Sequence, residues 1–252
     1  MKKFIPLASL LLIVMGCTAG SKVIKSFGKD HLTVDGVRLE YSREVEVEAR
    51  LDDLLDLESS LGDIEIVGVD GDIARLRVEI YEYRPDDIEL ELTERGYIEL
   101  HSNSRKPGAV GRVWAEVPRG LDLEIETGMG DVSISEMSGA GELRVDTGYG
   151  KVMLAELDGH RSVDVNTGKG DILLGPAREL RDVELNTGMG SIKVLDSDVE
   201  DISTSTGMGG IRFLDCEFGS VSGGTGMGSV KFRRTNYEYS DISSGFGRVS
   251  GD

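Results

Sequence analysis

One motif recurs down the second half of the chain. LEIETGMGDVSI, LRVDTGYGKVML, VDVNTGKGDILL, VELNTGMGSIKV, ISTSTGMGGIRF and VSGGTGMGSVKF follow one another, and DISSGFGRVSGD is a worn seventh copy. The anchor residues Thr127, Thr147, Thr167, Thr187, Thr206, Thr225 and Ser244 stand 20, 20, 20, 19, 19 and 19 positions apart. A weaker early copy, LLDLESSLGDIEI, begins at Leu54. Self-similarity at a short fixed period marks an array whose units bury their apolar faces by stacking on one another.

Within a copy the pattern has period two. Leu121, Leu123 and Ile125 point one way, Asp122, Glu124 and Glu126 the other, and Val132 and Ile134 resume the alternation after the glycines. Period two is the strand signature. The paired glycines are expected to make a sharp corner with dihedrals that other residues reach poorly. Each copy therefore reads strand, corner, strand, looser return. A meander could alternate in the same way, but near-constant spacing with in-register identities favours coiling. The expected fold is all-β: a single-chain parallel β-solenoid (β-helix) of 19–20-residue rungs over 121–252, with a strand-rich region over 41–120 capping its N-terminal end.

Stacking puts equivalent residues about 4.8 Å apart. Val163, Val183, Ile202 and Val221 then form one interior column, and Val132, Val152, Ile172, Ile192, Ile211, Val230 and Val249 a second. Met137, Leu157, Ala177, Ser197, Cys216 and Thr235 form a third, so Cys216 reads as packing rather than redox chemistry. The threonine hydroxyls are expected to hydrogen-bond to one another along their column.

The N-terminus carries a different message. Lys2 and Lys3 precede an apolar run from Phe4 to Met15, too short to span a bilayer, which ends in Gly16-Cys17. This resembles a bacterial lipoprotein signal: residues 1–16 as signal peptide, Cys17 as the lipidated residue, and 17–40 as a tether. More than one acyl chain on Cys17 would give stable anchoring. The implied location is the bacterial cell envelope, at the outer membrane or the outer face of the cytoplasmic membrane. With Cys17 lipidated, Cys216 has no partner for a disulfide.

The formal net charge is −18, and the stretch from Glu40 to Glu99 holds 20 acidic residues and 6 arginines. Such a field repels nucleic acid and anionic membrane surfaces. His31, His101 and His160 stand far apart and suggest no zinc site.

The ordered pattern LESSLGDIEI, then VWAEVPRGLDLEIETGMGDVSI, then TG-X-G rungs, resembles the bacterial putative-adhesin domain family of unknown function. Its Val-Pro-X-Gly lead-in matches Val117-Pro118-Arg119-Gly120, and the head-GIN-domain putative adhesins are similar. The resemblance covers roughly 45–252. It implies a β-solenoid at the cell envelope and no catalytic residues.

Chemistry is otherwise sparse. The Gly-X-Gly corners lead into strands, whereas a dinucleotide site needs a following helix. Asp63, Asp131 and Asp171 follow the second glycine, but Lys151, Ser191, Gly210, Ser229 and Arg248 take the same place in other copies. A ligand ladder that turns into lysine and arginine does not hold calcium. No metal or cofactor is expected, and no carboxylate cluster stands out for a polysaccharide-active enzyme, the one enzyme class such folds often carry.

One column does invite a functional reading. Met129, Tyr149, Lys169, Met189, Met208, Met227 and Phe246 sit between the corner glycines. Lys169 argues against a sealed interior. Either these side chains merely cover the corner backbone, or they form a partner-binding stripe. The sequence thus points to a non-catalytic, envelope-anchored recognition or scaffold surface, adhesin-like, with an unknown protein or glycan partner. The alternatives are a periplasmic accessory of a signalling or assembly system, and a rod that self-associates through its terminal rung.

Overall fold

The computed structural model describes residues 24–25, 32–59 and 61–251. Every regular element among them is a β-strand. The signal segment and Cys17 lie outside the described residues. Among the described residues no helix is long and apolar enough to cross a membrane.

The repeat coils as a parallel β-solenoid. The strands that carry the threonines stack in register as one sheet: Leu54–Ser59, Asp122–Met129, Glu142–Tyr149, Ser162–Lys169, Ala177–Met189, Ser197–Met208, Glu217–Met227 and Asn236–Phe246. We call this the threonine sheet. The strands after the corner stack as a second, short-strand sheet: Ile64–Val69, Val132–Ser135, Val152–Ala155, Ile172–Leu174, Ile192–Leu195, Ile211–Leu214, Val230–Arg233 and Val249–Ser250. All pairings between successive rungs are parallel.

The core lies between these sheets. The three expected interior columns are buried up to Val221, Val230 and Cys216, but the expected last members are not interior: Val249 is 44% exposed and Thr235 is only partly buried. One continuous apolar cluster runs from Leu51 to Phe232. Burying each Val, Leu or Ile contributes about 1.5–3 kcal/mol before entropy is counted. Towards the last rungs the core turns aromatic, with Phe213 stacked on Phe232 at 4.9 Å and edge-on to Phe218 at 5.3 Å. Cys216 is buried and donates its thiol hydrogen to the carbonyls of Leu214 and Val194. Burial pushes that thiol's pKa up, which suits packing and not reactivity.

The change of period from 20 to 19 has a place in the structure. In the longer rungs Gly139, Gly159 and Glu179 occupy one position at φ 121°, 75° and 51°. The pairing register slips there: Ala177 faces Ser197, but Leu180 faces Val199. Glu179 is the last of these extra residues, and later rungs run straight through. The return is thus less loose than the sequence suggested. It turns through a second corner, where Glu136, Glu156, Asp196, Asp215 and Arg234 hold φ between 47° and 58°.

The structure also moves two boundaries. The first rung is Leu54–Val69, at the weaker early copy that begins at Leu54, so it lies inside the region assigned to the cap. The chain leaves that rung to form Ala74–Glu82 and returns as Ala109–Pro118, which pairs parallel with Ile64–Val69. Tyr41–Ala49 then pairs antiparallel with Ala74–Glu82 and closes this end. Its Glu46 and Glu48 bind Arg77 and Arg75, so the outer strand is lined with charge, as protected edges are. Inside the cap, buried Glu82 accepts the main-chain N–H groups of Asp86, Asp87 and Ile88 and orders that turn. The expected tether is partly folded too. Leu32–Val34 and Val37–Leu39 form a hairpin about Asp35-Gly36, and Leu32, Val34 and Leu39 pack on Leu61 and Ala109. An Asp-Gly pair between alternating apolar residues is a strong hairpin signal.

Candidate functional site

The corner between the two sheets is built by the glycines, though not through the dihedrals expected of all of them. Gly190 does not lie in the left-handed region between +20° and +160°. Instead a Cβ placed on it would lie 1.9 Å from the carbonyl oxygen of Gly170 in the rung below. Equivalent overlaps recur at Gly150, Gly170, Gly209 and Gly228, at 1.7–1.8 Å. Backbone passes over backbone at this corner, and only glycine leaves the room.

The threonines lock the same corner. Their hydroxyls do not bond to one another. Four of them donate to the second corner glycine of the preceding rung: Thr167 to Gly150 at 3.2 Å, Thr187 to Gly170 at 2.9 Å, Thr206 to Gly190 at 2.9 Å, and Thr225 to Gly209 at 2.8 Å. Ser244 does the same to Gly228 at 2.8 Å. Among the described residues no main-chain N–H reaches those carbonyls, so the hydroxyl satisfies an otherwise orphaned acceptor. The buried hydroxyls of Thr127 and Thr147 have no such partner. The aspartates after the glycines serve the backbone as well. Asp63, Asp131 and Asp171 accept the N–H of Asp131, Lys151 and Ser191 in the next rung at 3.0, 2.8 and 2.7 Å.

This rigid corner presents the predicted stripe. Met129, Tyr149, Lys169, Met189, Met208, Met227 and Phe246 pair in register and form one column. Met189, Met208 and Met227 are 41%, 44% and 50% exposed, and Tyr149 and Phe246 are 61% and 81% exposed. The methionines therefore cover the corner with one side and face outward with the other.

A groove that sequence reasoning missed runs beside the stripe. Gly128, Gly148, Gly168 and Gly188 leave a furrow without side chains, a shallow space of about 550 Å³. Tyr149 stands on one side of it, and Glu126, Asp146, Asn166, Asn186 and Ser205 stand on the other. The amides form a short ladder: Asn186 donates to the Asn166 oxygen at 3.2 Å and to Glu184 at 2.7 Å, and Asn166 donates to Asp164. Its signal in the sequence was the residue before each threonine, always polar until Gly224.

Carboxylates crowd the cap end of this face. Burial, then Glu124, Glu58 and Glu126, push the Asp56 carboxyl up to about 6. Burial and neighbouring acids raise Glu126 and Asp164 in the same direction. Among the described residues no group of three or more His, Cys, Asp or Glu side chains is arranged to hold a metal ion.

No protein-family model matches the sequence, and no curated protein does. Solved structures do. A putative adhesin from Bacteroides fragilis aligns with a TM-score of 0.57 at 16% identity, over 83% of this chain and 97% of that one. A putative adhesin from Parabacteroides distasonis aligns with a TM-score of 0.52 at 13% identity, over 83% and 97%. The chain has the fold of these bacterial putative adhesins. The aligned share of this chain, 83%, is larger than the repeats alone. At these identities the likeness is one of fold, and the side chains of the corner must speak for themselves.

Proposed function

We propose that this chain is a non-catalytic recognition surface of the bacterial cell envelope, held to its membrane by lipid on Cys17. The observation that carries the reading is the exposed stripe from Met129 to Phe246 beside the glycine furrow. A solenoid spends its backbone on its own ladders, so its side-chain columns are what it offers to a partner. Methionine adapts to varied partner shapes, and a row of them on a rigid corner combines an adaptable surface with a fixed frame. The solved relatives in fold are named putative adhesins, which agrees with a surface role.

Two experiments test the two halves. Changing Met189, Met208 and Met227 together to Ser should abolish capture of the partner from envelope extracts while the thermal melt stays nearly unchanged. Retained capture sinks the stripe; an unfolded variant shows that the column is structural. Cys17→Ser should release the protein from the membrane fraction or leave the signal uncut. Normal processing and unchanged membrane partition would refute the anchor.

A second reading has its own observation. The last rung leaves the edge of Asn236–Phe246 open among the described residues, with Tyr237 and Tyr239 46% and 63% exposed. Open edges invite pairing. The charged cap at the other end argues for a closed pair of C-terminal ends over a filament, and sedimentation across a concentration series separates pair, filament and monomer.

A further inference from the structure

The charge of this molecule is not spread evenly. Acidic residues outnumber basic ones 46 to 28, and most of the other arginines on the rod are matched to carboxylates. Arg161 binds Glu142, Arg178 binds Asp196, Arg181 binds Glu200 and Arg234 binds Asp215, each pair bridging two rungs. The outward face of the short-strand sheet in its later rungs breaks this rule. Lys193 faces Arg212, and Arg212 faces Lys231, on three successive strands. None of the three has a carboxylate partner, a hydrogen bond or an aromatic contact among the described residues. The other outward positions of these strands are Leu195, Leu214 and Arg233, so no acid stands on this face.

Like charges directly opposite one another in a sheet are destabilising. Three cations nevertheless stand in a row here, lining a shallow depression of about 620 Å³ together with Leu195 and Leu214. The shape of the array limits what could neutralise it. The column is narrow, one side chain wide until Arg233 joins it on the last of the three strands, and it follows the strand spacing, about 4.8 Å. That step is comparable to the length of one sugar in an extended glycan. A planar anionic membrane would have to approach the acidic remainder of the rod within a screening length of about 8 Å. A thin linear chain need not. Arg212 can grip a carboxylate with two parallel bonds, and the lysines supply point charges on either side.

We propose that the column of Lys193, Arg212 and Lys231 binds a linear acidic polysaccharide bearing about one carboxylate per sugar. The site uses residues on the opposite sheet from the methionine stripe, so it stands or falls independently of the stripe.

Polygalacturonate is a suitable probe, with pullulan as the neutral comparison. Binding of the full chain is measured by titration calorimetry at rising salt. The expected result is binding to polygalacturonate alone, weakened by salt, and lowered roughly tenfold or more in K193Q/R212Q/K231Q. The same variant should melt at a higher temperature than the parent at low salt, because the stacked repulsion is gone. If it fails to fold, R212Q alone should still weaken binding severalfold, and the charge-preserving K193R/R212K/K231R should retain it. The proposal is overturned if the parent does not bind polygalacturonate, if K193Q/R212Q/K231Q or R212Q binds as tightly as the parent, or if phosphatidylglycerol vesicles or single-stranded DNA bind more tightly than the glycan.

Discussion

The threonine column allows the same substitution to be made at two positions with opposite expected signs. Thr187 and Thr147 are 4% and 5% exposed and differ by two rungs. Both are β-branched residues in strands, and valine keeps that shape. Thr187 donates to the Gly170 carbonyl, which no main-chain donor reaches among the described residues. Thr187→Val strands that acceptor and should cost about 1–3 kcal/mol. The Thr147 hydroxyl has no partner, so its burial is already unfavourable. Thr147→Val removes a polar atom that gains nothing and should stabilise by about 1 kcal/mol, at the low end of what an unpaired buried hydroxyl costs. The two variants should therefore differ by roughly 2–4 kcal/mol. A solenoid need not unfold in one step, so midpoints in urea should be read with native-state hydrogen exchange of the flanking rungs. Thr187→Val should speed exchange around Gly170 and Gly190, and Thr147→Val should slow it around Gly130 and Gly150. Equal shifts in the same direction would refute the assignment of hydroxyl to carbonyl.

Two further outcomes follow from the corner and the acidic face. Gly190→Ala drives a Cβ to 1.9 Å from the Gly170 oxygen and should cost about 1–3 kcal/mol or more, centred on neighbouring rungs, whereas Gly210→Ala, whose nearest atom lies at 3.3 Å, should cost far less by the same urea assay. The Asp56 carboxyl holds its proton to about pH 6 in the folded chain, while an unfolded aspartate loses it near 3.9. The folded form thus binds more protons between those values, so this group adds stability as pH falls through that window and subtracts it at neutral pH. Asp56→Asn should raise the urea midpoint at pH 7 and flatten its change between pH 6 and 4; a lower midpoint at pH 7 would contradict the crowding of carboxylates.

Much of this architecture is legible in the residues. The threonine spacing gives the rung, the alternation gives the interior columns, and Lys169 among the methionines correctly places that column at the surface. Other parts depend on contacts that a linear pattern does not express. The donor–acceptor pairing of Thr187 with Gly170 crosses between rungs, and a column of like residues suggests bonding within the column. The reason for Gly190 is a carbonyl two strands' worth of chain away, so a dihedral explanation was the natural one. Two features were visible and passed over. Asp35-Gly36 marks the hairpin that shortens the tether. Lys193, Arg212 and Lys231 recur at intervals of 19, inside SIKV, GIRF and SVKF. Each looks like an ordinary solvated charge until the sheet register sets it against its neighbour.

The claim that matters most is that the stripe is the surface a partner meets. A photo-crosslinking amino acid placed at Met208, on the stripe, and separately at Ser133, on the other sheet and away from the basic column, tests it in intact cells. The account predicts a discrete crosslinked species from position 208 and none from position 133. No species from position 208, or the same species from both, would contradict it.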